Sequence, residues 1–134
     1  MKPKLLVVGI LPFLVFAVTA FAHHAFSAEY DAKKPVTLHG TLTKMEWVNP
    51  HGWFYIDVKG PDGKVVNWAI ETASTNQLIR RGLRETDFPI GVEVSVEGYQ
   101  ARNGTPTANA AKVRFKDGRD FFLGAPNTGA PEPR

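Results

Sequence analysis

Cysteine is absent from the 134 residues of this sequence. The chain can therefore form no disulfide bond, and it cannot carry a lipid on an N-terminal thiol. A domain of this size without disulfides has to draw its stability from a hydrophobic core.

Motifs that carry enzymatic chemistry are missing as well. The sequence has no G-x-S-x-G nucleophile motif, no Walker or dinucleotide-binding glycine motif, no C-x-x-C and no paired-acid motif. We therefore assign no catalytic residue, and the sequence favours a function other than catalysis.

A large excess of one charge is also lacking. The chain has 16 Lys and Arg against 13 Asp and Glu, but Lys2 and Lys4 belong to the N-terminal leader described below. Without these two lysines, 14 basic residues face 13 acidic ones, and the net charge falls from +3 to +1. Such a chain has no positive field for holding nucleic acid, and nucleic-acid partners are not expected.

The first 22 residues have the pattern of a secretory signal peptide. Lys2 and Lys4 precede an apolar run over residues 5–18, and small residues follow at the −3 and −1 positions of a cleavage site. The apolar run contains Pro12 and is too short to span the hydrocarbon core of a bilayer. The pattern predicts an exported protein with no membrane span after cleavage.

Two cleavage sites satisfy the small-x-small rule. Cleavage after Ala20-Phe21-Ala22 starts the mature chain at His23, and cleavage after Val18-Thr19-Ala20 starts it at Phe21. The first site fits the A-x-A pattern better, and we prefer it.

The mature chain alternates apolar and polar residues over several short segments, as half-buried strands do. Ser74 and Gln77 form a capping box, and Gly82 is a stop signal, so a short helix is predicted between them. The predicted strands cover residues 36–45, 53–59, 64–71, 91–99 and 107–115, with a last short run over 119–123.

This order predicts a mainly β fold. We expect a small OB-fold-like antiparallel barrel of five to six strands, with one short helix between strands three and four. A half-barrel or another small sandwich is the alternative, because periodicity does not determine whether a sheet closes. The predicted domain limits are 1–22 for the signal peptide, 23–35 for an extended segment, 36–123 for the barrel and 124–134 for a disordered tail.

Four histidines are present, and two places could supply imidazole to a metal ion. A mature chain that starts at His23 could chelate copper through its amine and its ring Nδ1. His51, in the turn Asn49-Pro50-His51-Gly52, would add a third nitrogen and complete a histidine brace, with His24 as the substitute ligand. Copper suits nitrogen ligands in planar geometry. A chain that starts at Phe21 would also bind Cu(II) or Ni(II), because its third residue is His23.

Each of these histidines also has an ordinary interpretation. His51 could simply pack or hydrogen-bond within its turn, and His23 and His24 could have no role at a flexible terminus. His39, among threonines on the polar face of the first strand, is predicted to be a solvated residue.

Three residues are candidates for orienting a metal-binding imidazole by a hydrogen bond to its other ring nitrogen. Glu71 ends the third strand, Asp57 lies on the second strand, and Asn49 shares the turn with His51. A carboxylate that accepts a hydrogen bond from the second ring nitrogen fixes the orientation of a metal-binding histidine. Surface carboxylates at strand ends are the alternative interpretation.

A second hypothesis uses the aromatic residues Trp47, Trp53 and Tyr55. The last two share the strand face opposite the apolar one, where they could stack on a ligand. The protein would then be a metal-free binding or adaptor module for a glycan, a peptide or a partner protein. Packing of these rings in the core is the alternative.

Several segments of the sequence form a pattern that includes the histidine pair. They begin with His23-His24-Ala25-Phe26 and continue with Trp47-Val48-Asn49-Pro50-His51, Asn67-Trp68-Ala69-Ile70-Glu71, Leu78-Ile79-Arg80-Arg81-Gly82 and Ala108-Asn109-Ala110. Together these segments resemble a family catalogued as domain of unknown function 6152, small secreted proteins of Gram-negative bacteria. The resemblance implies an exported, barrel-like domain in the periplasm and brings no activity with it. Because the histidine pair belongs to the shared pattern, the resemblance favours our first hypothesis: a periplasmic copper-binding protein for metal handling, with a periplasmic partner protein.

Overall fold

A computed structural model describes residues 26–124 of the chain. The predicted signal peptide, His23, His24 and all but the first residue of the predicted tail lie outside the described residues. Within this range, no helix has the length and apolar character needed to cross a membrane.

The described chain is mainly β, as the sequence predicts, and its six strands belong to one sheet. Residues 26–29 are helical, and the chain after the third strand contains the helix Thr75–Arg80 and the 3-10 helix Glu85–Asp87. The strands are β1 (Tyr30–Glu46), β2 (Trp53–Lys59), β3 (Val65–Glu71), β4 (Glu93–Ala101), β5 (Thr107–Phe115) and β6 (Asp120–Phe122).

The strands are hydrogen-bonded in the order β3-β2-β1-β4-β5-β6, and each of these neighbouring pairs is antiparallel. One further pairing is parallel: Ala69, Ile70 and Glu71 of β3 lie beside residues 107–109 of β5. This pairing brings the end of β3 next to the start of β5, and it places Glu71 opposite Asn109.

Strand β1 is the longest strand and is shared by two neighbours. Its middle part pairs with β4 and its last part with β2, with a register shift between Leu42 and Lys44. The sequence predicts a bend or bulge at Gly40, two residues earlier. At Gly40 itself the backbones approach closely, because an added Cβ would lie 2.5 Å from the Asp57 carbonyl oxygen. β1 starts at Tyr30, six residues before the predicted strand 36–45. The prediction missed this part because residues 31–34 lack the alternation of apolar and polar residues that indicates a strand.

The core occupies the face that the alternation predicts. Leu42, Phe54 and Ile56 are almost completely buried, and Leu78 reaches the same core from the Thr75–Arg80 helix. Burying each such side chain contributes about 1.5–3 kcal/mol. The predicted capping box is present. The Ser74 hydroxyl accepts a hydrogen bond from the Gln77 backbone N–H, and Oε1 of Gln77 accepts one from the Ser74 backbone N–H.

Gly98 marks the closest approach of β4 and β5. An added Cβ would lie 2.2 Å from the carbonyl oxygen of Asn109, which is backbone and cannot rotate away. We therefore expect Gly98→Ala to lower the free energy of unfolding by about 2 kcal/mol, measured by chemical denaturation. Gly60→Ala is the matched control, because its Cβ would meet the flexible Asp62 side chain at 3.0 Å and the Lys64 carbonyl oxygen at 3.6 Å, an ordinary van der Waals contact. Equal stability of the two variants would contradict the close approach.

Candidate functional site

The turn that carries His51 is fixed on one side to the start of the Thr75–Arg80 helix. The Thr75 hydroxyl donates a hydrogen bond to the Val48 carbonyl oxygen at 2.7 Å. The Asn76 backbone N–H donates to Oδ1 of Asn49 at 3.3 Å. Asn49, a predicted orienting residue for His51, therefore holds the turn against the helix.

The other side of the turn is fixed to the chain that follows β3. The Gly52 N–H donates to the Ala73 carbonyl oxygen at 3.2 Å, and the Thr72 N–H donates to the Gly52 carbonyl oxygen at 2.8 Å. A Cβ on Gly52 would lie 2.7 Å from the Thr72 hydroxyl oxygen, so only glycine fits this approach without a shift. His51 is thus held beside the end of β3.

Glu71, the last residue of β3, contacts the ring of His51. Nδ1 of His51 lies 2.8 Å from Oε1 of Glu71; the Glu71 side chain is 9% exposed and that of His51 is 46% exposed. A carboxylate can only accept, so Nδ1 carries the hydrogen and donates it. The other ring nitrogen, Nε2, then keeps its lone pair for a ligand, which is the usual arrangement of a metal-binding histidine.

The Glu71 carboxylate is surrounded by donors. The Tyr30 hydroxyl donates to it, and Nδ2 of Asn109 donates to Oε2 at 3.4 Å. Tyr30 is 3% exposed and Asn109 is 6% exposed. Burial raises the pKa of the Tyr30 hydroxyl above its ordinary value, and the bond to Glu71 raises it further, so Tyr30 stays a donor. No buried side-chain nitrogen or oxygen within residues 26–124 lacks a hydrogen-bond partner.

Residues 26–30, which we call the N-terminal arm, pack beside this carboxylate. Phe26 is buried, with its ring 5.7 Å from that of Tyr30 and 5.7 Å from that of Tyr99. Nε of Arg102 donates a hydrogen bond to the Ser27 carbonyl oxygen at 2.6 Å. The backbone N–H of Arg102 donates to the Glu29 carbonyl oxygen at 2.9 Å. The arm is therefore docked by both apolar and polar contacts.

The structure does not bring the remaining predicted polar residue to His51. Asp57 is exposed and accepts a hydrogen bond from Nδ2 of Asn67 at 2.8 Å. It lies four residues beyond Trp53 along β2, which is roughly 13 Å of strand. His39 is exposed on β1, opposite Ser95 of β4. In the described part of the chain, no group of three or more His, Asp or Glu residues could hold a metal ion.

The three predicted aromatic residues have different surroundings. Trp47 packs against the core, with its ring 6.2 Å from that of Phe88. The Tyr55 hydroxyl donates to Oε2 of Glu46 at 3.3 Å. Trp53 is half-buried and lines a groove of about 380 Å³ between the N-terminal arm and the turn joining β4 to β5.

Tyr30 and Asn109 are the members of this cluster that sequence reasoning missed. Asn109 had a usable signal, because it is a single amide within the run of alanines over residues 108–111. Tyr30 had none, since it precedes a polar stretch that shows no strand alternation.

Fold and site together define a mainly β protein that presents a half-exposed histidine on a buried carboxylate. A family model described as a family of unknown function, DUF6152, matches residues 12–110, and the chain belongs to that family. The predicted membership is confirmed. No curated protein and no solved structure matches the chain.

Proposed function

We propose that the mature protein binds one copper ion at the His51 turn. Nε2 of His51 is one donor, and the amine and ring of His23 are the other two, with His24 as a substitute for His23. The observation that carries the proposal is the 2.8 Å contact between Nδ1 of His51 and Glu71. It turns Nε2 outward as a lone-pair donor and makes the ring a better ligand.

The docked arm supports a site shared between His51 and the N-terminus. Phe26 packs on Tyr30, and Tyr30 donates to the same carboxylate that accepts from His51. His23 precedes Phe26 by three residues, a covalent reach of at most about 11 Å. We therefore propose that the mature N-terminus reaches the His51 ring from the docked arm.

The available donors suit copper. The chain has no cysteine, so a site built here uses imidazole and amine nitrogens, which Cu(II) accepts in a planar arrangement. The half-exposed His51 ring allows the ion to be passed on. We therefore propose metal handling or delivery to a periplasmic partner protein rather than catalysis, in a chain exported by cleavage of residues 1–22.

The strand pairing supports an OB-fold-like barrel for this protein. β1 lies between β2 and β4, β3 pairs parallel with β5, and the Thr75–Arg80 helix follows β3. OB-folds bind ligands with the loop between their first two strands and the loop between their last two. His51 lies in the loop between β1 and β2, and Arg102 lies at the start of the turn between β4 and β5.

A titration of the exported protein tests the copper site. Cu(II) is added in competition with a chromophoric chelator to the native chain and to a chain with three glutamines inserted before His23, an insertion that leaves no histidine among the first three residues of the mature chain. We expect one copper per native chain and an affinity at least tenfold lower after the insertion, because the amine is displaced from the ring. Equal affinity would remove the amine from the site, and no binding would end the copper proposal.

A second candidate function rests on the groove beside Trp53. Its half-buried indole could stack on a sugar ring or a peptide side chain, as a metal-free binding module would require. Binding of an oligosaccharide or peptide by copper-free protein, lost in Trp53→Ala, would support it.

A further inference from the structure

The buried carboxylate of Glu71 joins two parts of the chain that are distant in sequence. On one side it accepts from Nδ1 of His51, in the turn between β1 and β2. On the other side it accepts from the Tyr30 hydroxyl, where the N-terminal arm enters β1. The state of the arm and the orientation of the His51 ring therefore depend on one side chain.

The donors of this cluster are not equivalent. Nδ2 of Asn109 lies 3.4 Å from Oε2, near the outer limit for a hydrogen bond, so it holds the carboxylate weakly. His51 is half exposed and can exchange Glu71 for water. Tyr30 is nearly fully buried and stays protonated, so its hydroxyl is the donor best able to fix the carboxylate plane.

We propose that Tyr30 is a positioning residue for the imidazole of His51. Its hydroxyl holds the Glu71 carboxylate in the orientation that accepts from Nδ1, and the ring then presents Nε2 to a metal ion. The inference rests on the proposed copper site for its functional meaning, but the Tyr30–Glu71–His51 chain of hydrogen bonds can be measured without metal.

The inference also implies coupling between the arm and the site. A ligand on Nε2 strengthens the bond from Nδ1 to Glu71, which in turn favours the bond from Tyr30 and the docked arm. Linkage is reciprocal, so a docked arm must raise the affinity of His51 for the ion by the same factor. Amide hydrogen exchange in residues 26–30 should therefore slow when copper is bound.

Tyr30→Phe isolates the hydroxyl. The phenylalanine ring can still stack on Phe26, and Arg102 still holds the arm through Ser27 and Glu29, so the variant is expected to fold. Tyr55→Phe is the matched control, because it removes a tyrosine hydroxyl that donates to a different carboxylate, Glu46.

Two readouts are taken on each variant: the ¹⁵N shifts of the His51 ring in metal-free protein, and the affinity for Cu(II). We expect the native protein and Tyr55→Phe to hold the hydrogen on Nδ1 and to agree in affinity within twofold. Tyr30→Phe should show a mixture of the two ring tautomers, because the freed carboxylate turns away part of the time. Its copper affinity should fall about tenfold, the low end for a residue behind a ligand.

The outcomes separate this inference from the copper site itself. Copper binding in the native protein, with affinity and ring tautomer unchanged in Tyr30→Phe, would overturn the role of Tyr30 and leave the copper site standing. If the native protein binds no copper, the proposed function fails and the ring tautomer alone decides: a mixture in Tyr30→Phe supports the positioning role, and an unchanged tautomer overturns it.

Discussion

Replacing His51 by alanine should weaken copper binding by more than about 100-fold. His51 is the one imidazole of the described chain that is both half exposed and fixed by a carboxylate. Removing a ligand should lower the metal affinity by more than the roughly 10–100-fold that is typical when a residue hydrogen-bonded to a ligand is removed. The affinity is measured by competition with a chelator of known affinity, on protein whose N-terminus has been verified.

His39→Ala is the matched control for this substitution. His39 is exposed on β1 and faces Ser95 across the pairing with β4, away from the His51 turn. We expect its copper affinity to equal that of the native protein. If His51→Ala kept the native affinity, the turn would not belong to the copper site, and an ion held by the N-terminus alone would explain the binding.

The second large effect is expected from Glu71→Ala. The change leaves the buried Tyr30 hydroxyl and the buried Asn109 amide without their shared acceptor. Each unsatisfied buried donor costs about 1–3 kcal/mol, so the free energy of unfolding should fall by about 3 kcal/mol. Chemical denaturation of metal-free protein measures this, and copper affinity should fall in the same variant because His51 loses its fixed orientation.

Two variants give this experiment its contrast. Glu71→Gln keeps the shape and one acceptor oxygen, so its loss of stability should be smaller. Asp57→Ala removes the other carboxylate that the sequence suggested behind His51, and its exposed bond to Asn67 contributes little. A loss as large in Asp57→Ala as in Glu71→Ala would show that burial of Glu71 is not what makes its network important.

Most of the sheet follows from local rules. Strands β2 and β5 begin and end where the alternation of apolar residues places them. In β2 buried residues alternate with more exposed ones, whereas residues 108–111 of β5 are all buried. The Ser74 capping box likewise forms as its sequence indicates. The largest difference is the entry to β1, which starts at Tyr30 rather than at residue 36, since residues 31–34 pair little and carry no pattern. β4 is displaced by two residues at each end from the predicted 91–99.

The site is less predictable because it depends on contacts between distant strands. Glu71 and His51 were identifiable as a carboxylate at a strand end and a histidine in a turn. Their contact requires the pairing of β2 with β3, which places Trp53 opposite Glu71. The donors Tyr30 and Asn109 reach Glu71 through the N-terminal arm and the parallel pairing of β3 with β5, and neither contact has a local sequence signal.

The most direct test of the proposed copper site is a native mass spectrum of protein expressed with its predicted signal peptide, recorded with one equivalent of Cu(II). One spectrum gives both the processed N-terminus and the number of metal ions. We expect a chain that starts at His23 and retains one copper ion, which His51→Ala loses under the same conditions. Metal-free protein in the presence of Cu(II) would contradict the copper site and direct the search to the groove beside Trp53.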